Sequence, residues 1–221
     1  RNLTKEQLVE LAIKLGDKAF RGKQLYEWVT KGVSSFDEMT NMPATFKQKL
    51  SEFAYLDNYK IIEHHVAKDG TIKALGVLHD GNIVESVFMT YKHGNSACIS
   101  TQVGCKMKCT FCASTLNGVV RSLTAGEYLG QLYALQKLTG KRINNVVLMG
   151  SGEPLDNYED SVRFIKMACD EAGLNISGRN ITLSTCGLVP EIMKLADEKL
   201  QITLAISLHN PFQDERAEII D

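Results

Sequence analysis

From Ser96 onward the sequence alternates β-like and helix-like runs, and this alternation limits the possible folds more than any other feature. β-like stretches cover residues 97–101, 145–149, 180–184 and 202–207. Helical spacing covers 124–138, 157–172 and 190–197. Thr124 with Glu127 makes a capping box, and Gly140 and Gly173 stand where helix C-caps belong. Strands alternating with helices imply a parallel sheet with right-handed crossovers. The expected fold class is therefore α/β, with the four strands forming an open sheet or part of a barrel.

The texture upstream is different. The first sixty residues carry apolar positions at helical spacing, with capping boxes at Thr4/Gln7 and Ser35/Glu38 and with Pro43 able to open a helix. Runs 61–66, 71–77 and 82–89 are β-like. Asp69-Gly70 and Asp80-Gly81, residue pairs favoured in tight hairpin turns, separate them. The chain divides on this reading into a helical accessory module (1–60), a short antiparallel β meander or linker (61–92) and an α/β domain (93–221).

Composition excludes little. A formal charge of −1 announces no global affinity for nucleic acid, although a basic patch on one face suffices for phosphate contact. Arg21, Lys23, Lys106, Lys108 and Arg121 are the candidates for such a face. No apolar run has membrane-spanning length and no signal segment is evident, so a cytoplasmic protein without membrane contact is expected. The first residue is Arg1 rather than Met, which reads as a trimmed or excerpted N-terminus. Crowded cysteines in such a chain suggest metal binding or catalysis before disulfides.

Three of the six cysteines crowd into Gly104-Cys105-Lys106-Met107-Lys108-Cys109-Thr110-Phe111-Cys112, after the first parallel strand. Three thiolates at this spacing can wrap one face of a 4Fe–4S cube and leave its fourth iron open to chelate the amino and carboxylate groups of S-adenosylmethionine. Phe111 is placed to shield such a cluster. A zinc site, with Cys98 or His93 as fourth ligand, is the competing metal reading, and an unliganded trio the plainest one. A second feature agrees with the cluster. Met149-Gly150-Ser151-Gly152-Glu153-Pro154 follows the second parallel strand. Ligands in α/β folds bind at the carboxyl ends of strands. The two glycines allow close backbone approach to a ligand, and Glu153 can accept from an ammonium group. Ser184-Thr185 and Ser207-Leu208-His209 fall on the same rim.

The strings Ser100 to Cys105, Phe111 to Ser114, Met149 to Leu155, Ile181 to Thr185 and Leu204 to His209 resemble the RlmN/Cfr family of radical S-adenosylmethionine RNA methyltransferases. So do Ala19 to Gln24 and Phe36 to Met39. The likeness is greatest to the dual-specificity branch, which methylates carbon 2 of an adenine in 23S ribosomal RNA and in transfer RNA. The resemblance implies a partial (β/α) barrel, with Cys105, Cys109 and Cys112 on a 4Fe–4S cluster. It implies S-adenosylmethionine contacts from Gly152, Glu153, Ser184, Ser207, Leu208 and His209. Glu85 would be a proton acceptor, and Cys98 a second catalytic cysteine that resolves the methylated product and ends in a disulfide. From the residues alone, Glu85 reads as a solvated strand glutamate and Cys98 as a small buried hydrophobe. Cys169 and Cys186 match no catalytic position and read as core packing.

The same resemblance implies 23S rRNA and tRNA substrates, an external flavodoxin-like electron donor and a monomer. In the family a methylated cysteine carries the methyl group to the adenine. That cysteine, and a later asparagine at the cofactor, match no position before Asp221. The chain is therefore expected to be a C-terminally truncated member that by itself cleaves the cofactor at most. Alternatives are methylation at carbon 8 of the same adenine, a radical enzyme acting on protein or a small molecule, and a non-catalytic zinc-binding RNA module.

Overall fold

The computed structural model describes residues 1–56 and 59–220. Asp57 and Asn58, inside the stretch expected as the helical module, and Asp221, at the end of the expected α/β domain, lie outside the described residues. Three helices open the chain: α1 (Lys5–Lys14), α2 (Ala19–Thr30) and α3 (Ala44–Phe53), with a 3₁₀ turn at Phe36–Glu38. Both expected capping boxes form: Thr4 Oγ1 accepts from Gln7 N, and Ser35 caps the 3₁₀ turn. Leu8, Ala12, Leu25, Val29, Met39, Phe46 and Leu50 bury one another in a core belonging to this module.

The remaining chain forms β1 (Lys60–Val66), β2 (Ile72–Val77), β3 (Ile83–Tyr91), β4 (Gly94–Ile99), β5 (Gln102–Gly104), β6 (Val119–Ser122), α4 (Ala125–Thr139), β7 (Asn145–Leu148), α5 (Tyr158–Cys169), β8 (Ile181–Thr185), α6 (Val189–Asp197), β9 (Thr203–Ile206) and α7 (Gln213–Ala217). A seven-stranded sheet runs in the order β1-β2-β3-β4-β7-β8-β9. β4, β7, β8 and β9 are parallel, as the alternation of strands and helices requires. The strands expected as a meander are antiparallel, and β3 pairs with β4, so they extend this sheet rather than interrupt it. Gly140 caps α4 in the left-handed conformation at φ 66°. Gly173 caps nothing. α5 ends at Cys169 with Asp170 as its C-cap, and the Asp170 carboxylate accepts from Ala172 N at 2.8 Å.

One face of the sheet is covered by helices. Ala97, Ile99, Val146, Leu148, Ile181 and Leu183 pack there with Tyr128, Leu132 and Leu135 of α4 and Phe164 and Ile165 of α5. The period-two alternation of strands sends the other residues to the opposite, inner face. Register partners His65, Lys73, Val87, Cys98, Val147, Thr182 and Thr203 form one row across all seven strands of that face. A cavity of about 640 Å³ lies over it, with Val87, Met89, Cys98, Val147, Met149 and Thr182 among its lining residues. The helical module is tied to the sheet domain by Tyr26, whose hydroxyl donates to Asp170 Oδ2 at 2.6 Å. Tyr133 donates to Thr30 O at 2.8 Å, and Arg163 to Asn2 O at 3.1 Å. No helix among the described residues is long and apolar enough to cross a membrane.

Candidate cofactor site

The cysteine loop connects β5 and β6, a two-stranded antiparallel ribbon at the carboxyl end of β4 that the sequence did not announce. Cys105 N donates to Gly118 O at 3.1 Å and closes the base of the loop. Gly104 makes this possible. Its φ is 77°, and a Cβ there would stand 2.0 Å from Gly118 O. Inside the loop Cys112 N donates to Cys109 O at 3.0 Å and Thr115 Oγ1 to Cys112 O at 2.8 Å. Lys108 turns the chain at φ 50°. Thr110 N donates to Ile219 O at 3.0 Å, which anchors the loop to the end of the described chain.

All six cysteines are free. Burial raises the Cys105 thiol, and the neighbouring Cys109, Glu153 and Cys112 charges add to it. Cys109 is raised likewise, first by burial and then by Cys112. Cys105 and Cys109 therefore lie within electrostatic reach of Cys112 and of Glu153. Among the described residues no three His, Cys, Asp or Glu side chains gather around a single ion. An iron–sulfur cube distributes three thiolates over three irons, so its ligands need not point at one centre. Three thiols on one pinned loop supply the donor chemistry such a cube requires.

The turn after β7 lies across the end of β4. Gly150 N donates to Ile99 O at 3.0 Å, and Ser151 O accepts from Thr101 N and Gln102 N at 2.8 and 3.1 Å. A Cβ on Gly150 would be 2.7 Å from Ile99 C, and one on Gly152, at φ 103°, 2.6 Å from Gln102 N. Both glycines thus permit a close approach to the protein's own backbone at the end of β4 and the start of β5. The crossing delivers Glu153, only 4% exposed. Its N–H donates to Gln102 Oε1 at 3.0 Å. Its carboxylate accepts from Leu155 N at 2.9 Å and Cys186 N at 2.8 Å. Gln102 Nε2 donates to Asp156 Oδ2 at 2.8 Å, and Lys106 pairs with the same carboxylate.

The other rim residues fall at the ends of β8 and β9. Ser184 is half-buried and in register with Ala205 on the inner face. Ser207 N donates to Thr185 O at 2.9 Å, and Leu208 is exposed. His209, at φ 56°, holds its ring 4.6 Å from that of Phe111, so the end of β9 meets the cysteine loop. Arg216 of α7 donates to Cys186 O and, at 3.4 Å, to Ser207 O. Gln102, Cys186 and Arg216 were not singled out from sequence for this site. Cys186 read as core packing, yet it stands beside Glu153. Burial, then the Glu153 charge, pushes its thiol up to about 12.

Glu85 and Cys98 lie deeper, on the inner face. Cys98 is in register with Val87, and burial raises its thiol. Glu85 lies two residues rimward of Val87 on β3, half-exposed, with Lys73 Nζ 2.6 Å from its Oε1. Of the basic residues considered for RNA, Arg121 is bound to Asp80 at 2.5 Å and Glu127 at 2.7 Å, and Lys106 to Asp156. Arg21 donates to Gln24 Oε1 at 2.8 Å and to Asn41 O at 3.4 Å. Lys106 and Arg121 therefore serve local ion pairs, which spacing along the sequence did not reveal.

Residues 99–220 match the radical SAM superfamily, and the chain belongs to it. Residues 1–56 match the ribosomal RNA large subunit methyltransferase N-terminal domain. The chain is 54% identical to the probable dual-specificity RNA methyltransferase RlmN of Alkaliphilus oremlandii (strain OhILAs), over 98% of this chain and 64% of that protein. It is 56% identical to the protein of the same name from Clostridium tetani (strain Massachusetts / E88), over 95% of this chain and 60% of the relative. The chain thus spans less than two thirds of the length of these curated relatives. A crystal structure of a radical SAM methyltransferase from Sphaerobacter thermophilus superposes with a TM-score of 0.92 at 37% identity, covering 99% of this chain and 66% of the other.

Proposed function

We propose that this chain forms the cluster-binding and RNA-facing part of an RNA methyltransferase that modifies carbon 2 of adenine in 23S rRNA and tRNA, in the cytoplasm and with an external reductant. One observation carries the reading: a pinned three-thiol loop leaves the strand whose Gln102 also holds the buried Glu153, in a chain that opens with a helical module matching an rRNA methyltransferase N-terminal domain. Cys105, Cys109 and Cys112 would hold the 4Fe–4S cluster, and Phe111 and His209 would cover its exposed side. When bound, the cluster and S-adenosylmethionine supply one-electron bond-cleaving chemistry.

The chain's own residues bind and orient. Each Glu153 oxygen accepts one backbone N–H and keeps a further lone pair for the ammonium group of the cofactor. Gly152 carries Glu153 to its place, and Ser184, Ser207, Leu208 and His209 line the rest of the rim. On the inner face the Glu85 carboxylate would take up the proton released from the substrate base. Cys98 would close a disulfide with a methyl-carrying cysteine when product leaves. The test begins with anaerobic reconstitution. About four irons and four sulfides per chain are expected, with loss on replacing Cys105, Cys109 or Cys112 by Ala. Zinc without sulfide would overturn the assignment. In a full-length protein carrying this sequence, nucleoside analysis of an rRNA fragment should show 2-methyladenosine; 8-methyladenosine would move the reading to the other carbon.

A further inference from the structure

The geometry points to Lys73 as the positioning residue of Glu85, a role that rests on the reading of Glu85 as proton acceptor. Register places Lys73 opposite Val87, Leu75 opposite Glu85, and Val87 opposite Cys98. Lys73, Glu85 and Cys98 therefore share the inner face, and Lys73 reaches Glu85 along the diagonal to the next row. Nζ stands 2.6 Å from Oε1, the short contact of a charge-assisted hydrogen bond. The backbone of Glu85 is fixed independently. Its carbonyl accepts from Ser100 Oγ at 2.7 Å, and that oxygen accepts from Ser151 N at 3.0 Å, in the glycine-rich turn. A half-exposed glutamate on a strand has several rotamers open to it. Here the main chain is tied to the rim and the carboxylate to Lys73, so one orientation over the inner face is selected.

The chemistry follows from charge. A proton acceptor must offer an oxygen lone pair to the base, and the Lys73 ammonium holds Oε1 at 2.6 Å and leaves Oε2 to do so. The proton passes to a Glu85 oxygen, the electron pair of the broken bond returns to the base, and the carboxylate becomes neutral. Its ion pair with Lys73 then weakens, leaving the cation near the anionic RNA at product release. An ordinary cross-strand pair on a solvated surface would contribute little to stability and nothing to this step.

The test uses a full-length protein carrying this sequence, reconstituted anaerobically and given S-adenosylmethionine and a 23S rRNA fragment. Lys73→Met, Lys73→Arg and Glu85→Gln are compared with wild type. Three readouts are followed: 5′-deoxyadenosine formed, 2-methyladenosine formed, and RNA covalently retained on protein in denaturing gels. Lys73→Met should keep 5′-deoxyadenosine formation, lower 2-methyladenosine on the order of 10- to 100-fold and accumulate retained RNA, and Glu85→Gln should do the same. Lys73→Arg should restore most product. Wild-type product from Lys73→Met, or equal loss of 5′-deoxyadenosine and product, would overturn the positioning role. If Glu85→Gln itself releases product normally, the underlying assignment of Glu85 fails instead.

Discussion

Gln102 Oε1 accepts the backbone N–H of Glu153 at 3.0 Å, and this bond fastens the strand leading into the cysteine loop to the turn that presents the buried carboxylate. The other end of the same carboxamide holds Asp156, so one side chain fixes both ends of the turn's acidic segment. Thiols and carboxylate are thus held in mutual register by the protein alone. The expected consequences concern rigidity as much as ligand contact.

Gly104→Ala should loosen the cysteine loop. The substitution places a side chain at φ 77° and drives a methyl group against Gly118 O. The backbone term alone is about 1–2 kcal/mol. Iron retained per chain after reconstitution and desalting should fall, together with the midpoint of thermal unfolding. Full iron retention would show that the loop closes without this glycine.

Glu153→Gln removes one of two carboxylate acceptors and turns an amide N–H₂ toward a backbone N–H at Leu155 or Cys186. Leaving one buried donor unsatisfied costs about 1–3 kcal/mol. Stability should drop by that order, and calorimetric binding of S-adenosylmethionine to the reconstituted protein should weaken. Unchanged binding would remove Glu153 from the cofactor's contacts.

Much of this architecture could be read from the sequence because it is local. Capping boxes at Thr4, Ser35 and Thr124 and the glycine cap at Gly140 all form where the residues suggested. Gly173 misled because Asp170 ends the helix first, its carboxylate engaging Ala172 N and Tyr26. The β5–β6 ribbon escaped notice because its short strands flank the cysteine loop and stand outside the alternation of strand and helix. Long-range pairing was equally hidden. Nothing near Lys73 in sequence indicates Glu85, and nothing near Arg121 indicates Asp80. Both pairs depend on register and chain path, which the sequence does not print.

Arg121→Ala should test stability rather than RNA affinity. It strips Asp80 and the buried Glu127 of their partner, and RNA binding should keep its salt dependence because no phosphate contact is lost. The hydrogen bond from Arg121 holds the Asp80 carboxyl well below the usual carboxylate range. A depressed folded value contributes stability above the unfolded value, about 3.9, and loses it as pH falls toward the depressed one. The stability gap between wild type and Arg121→Ala should therefore be full at pH 7 and narrow below about pH 4. Denaturant titration at both pH values checks this; a gap independent of pH would refute it.

Tyr26→Phe should loosen the junction between the helical module and the sheet domain. It deletes the 2.6 Å bond to Asp170 and leaves that carboxylate with its Ala172 contact. A loss of about 1.5–3 kcal/mol is expected for a hydrogen bond to a charged group. Hydrogen exchange should accelerate at the facing residues of α2 and α5 while the sheet centre stays protected. Uniform acceleration would mean the two parts open together.

The bond from Thr110 to Ile219 has a consequence in time. These residues are separated by 109 positions, so while the chain is being synthesised the thiol-bearing loop is complete long before its anchor exists. Contacts of such long sequence separation are the slow ones to form, and domains assemble from the N-terminus as they emerge. In the nascent protein the base of the loop can close through Cys105 and Gly118, while its outer anchor at Ile219 is still to come. The clamp on the thiol-bearing loop is therefore among the later contacts that this stretch of chain makes.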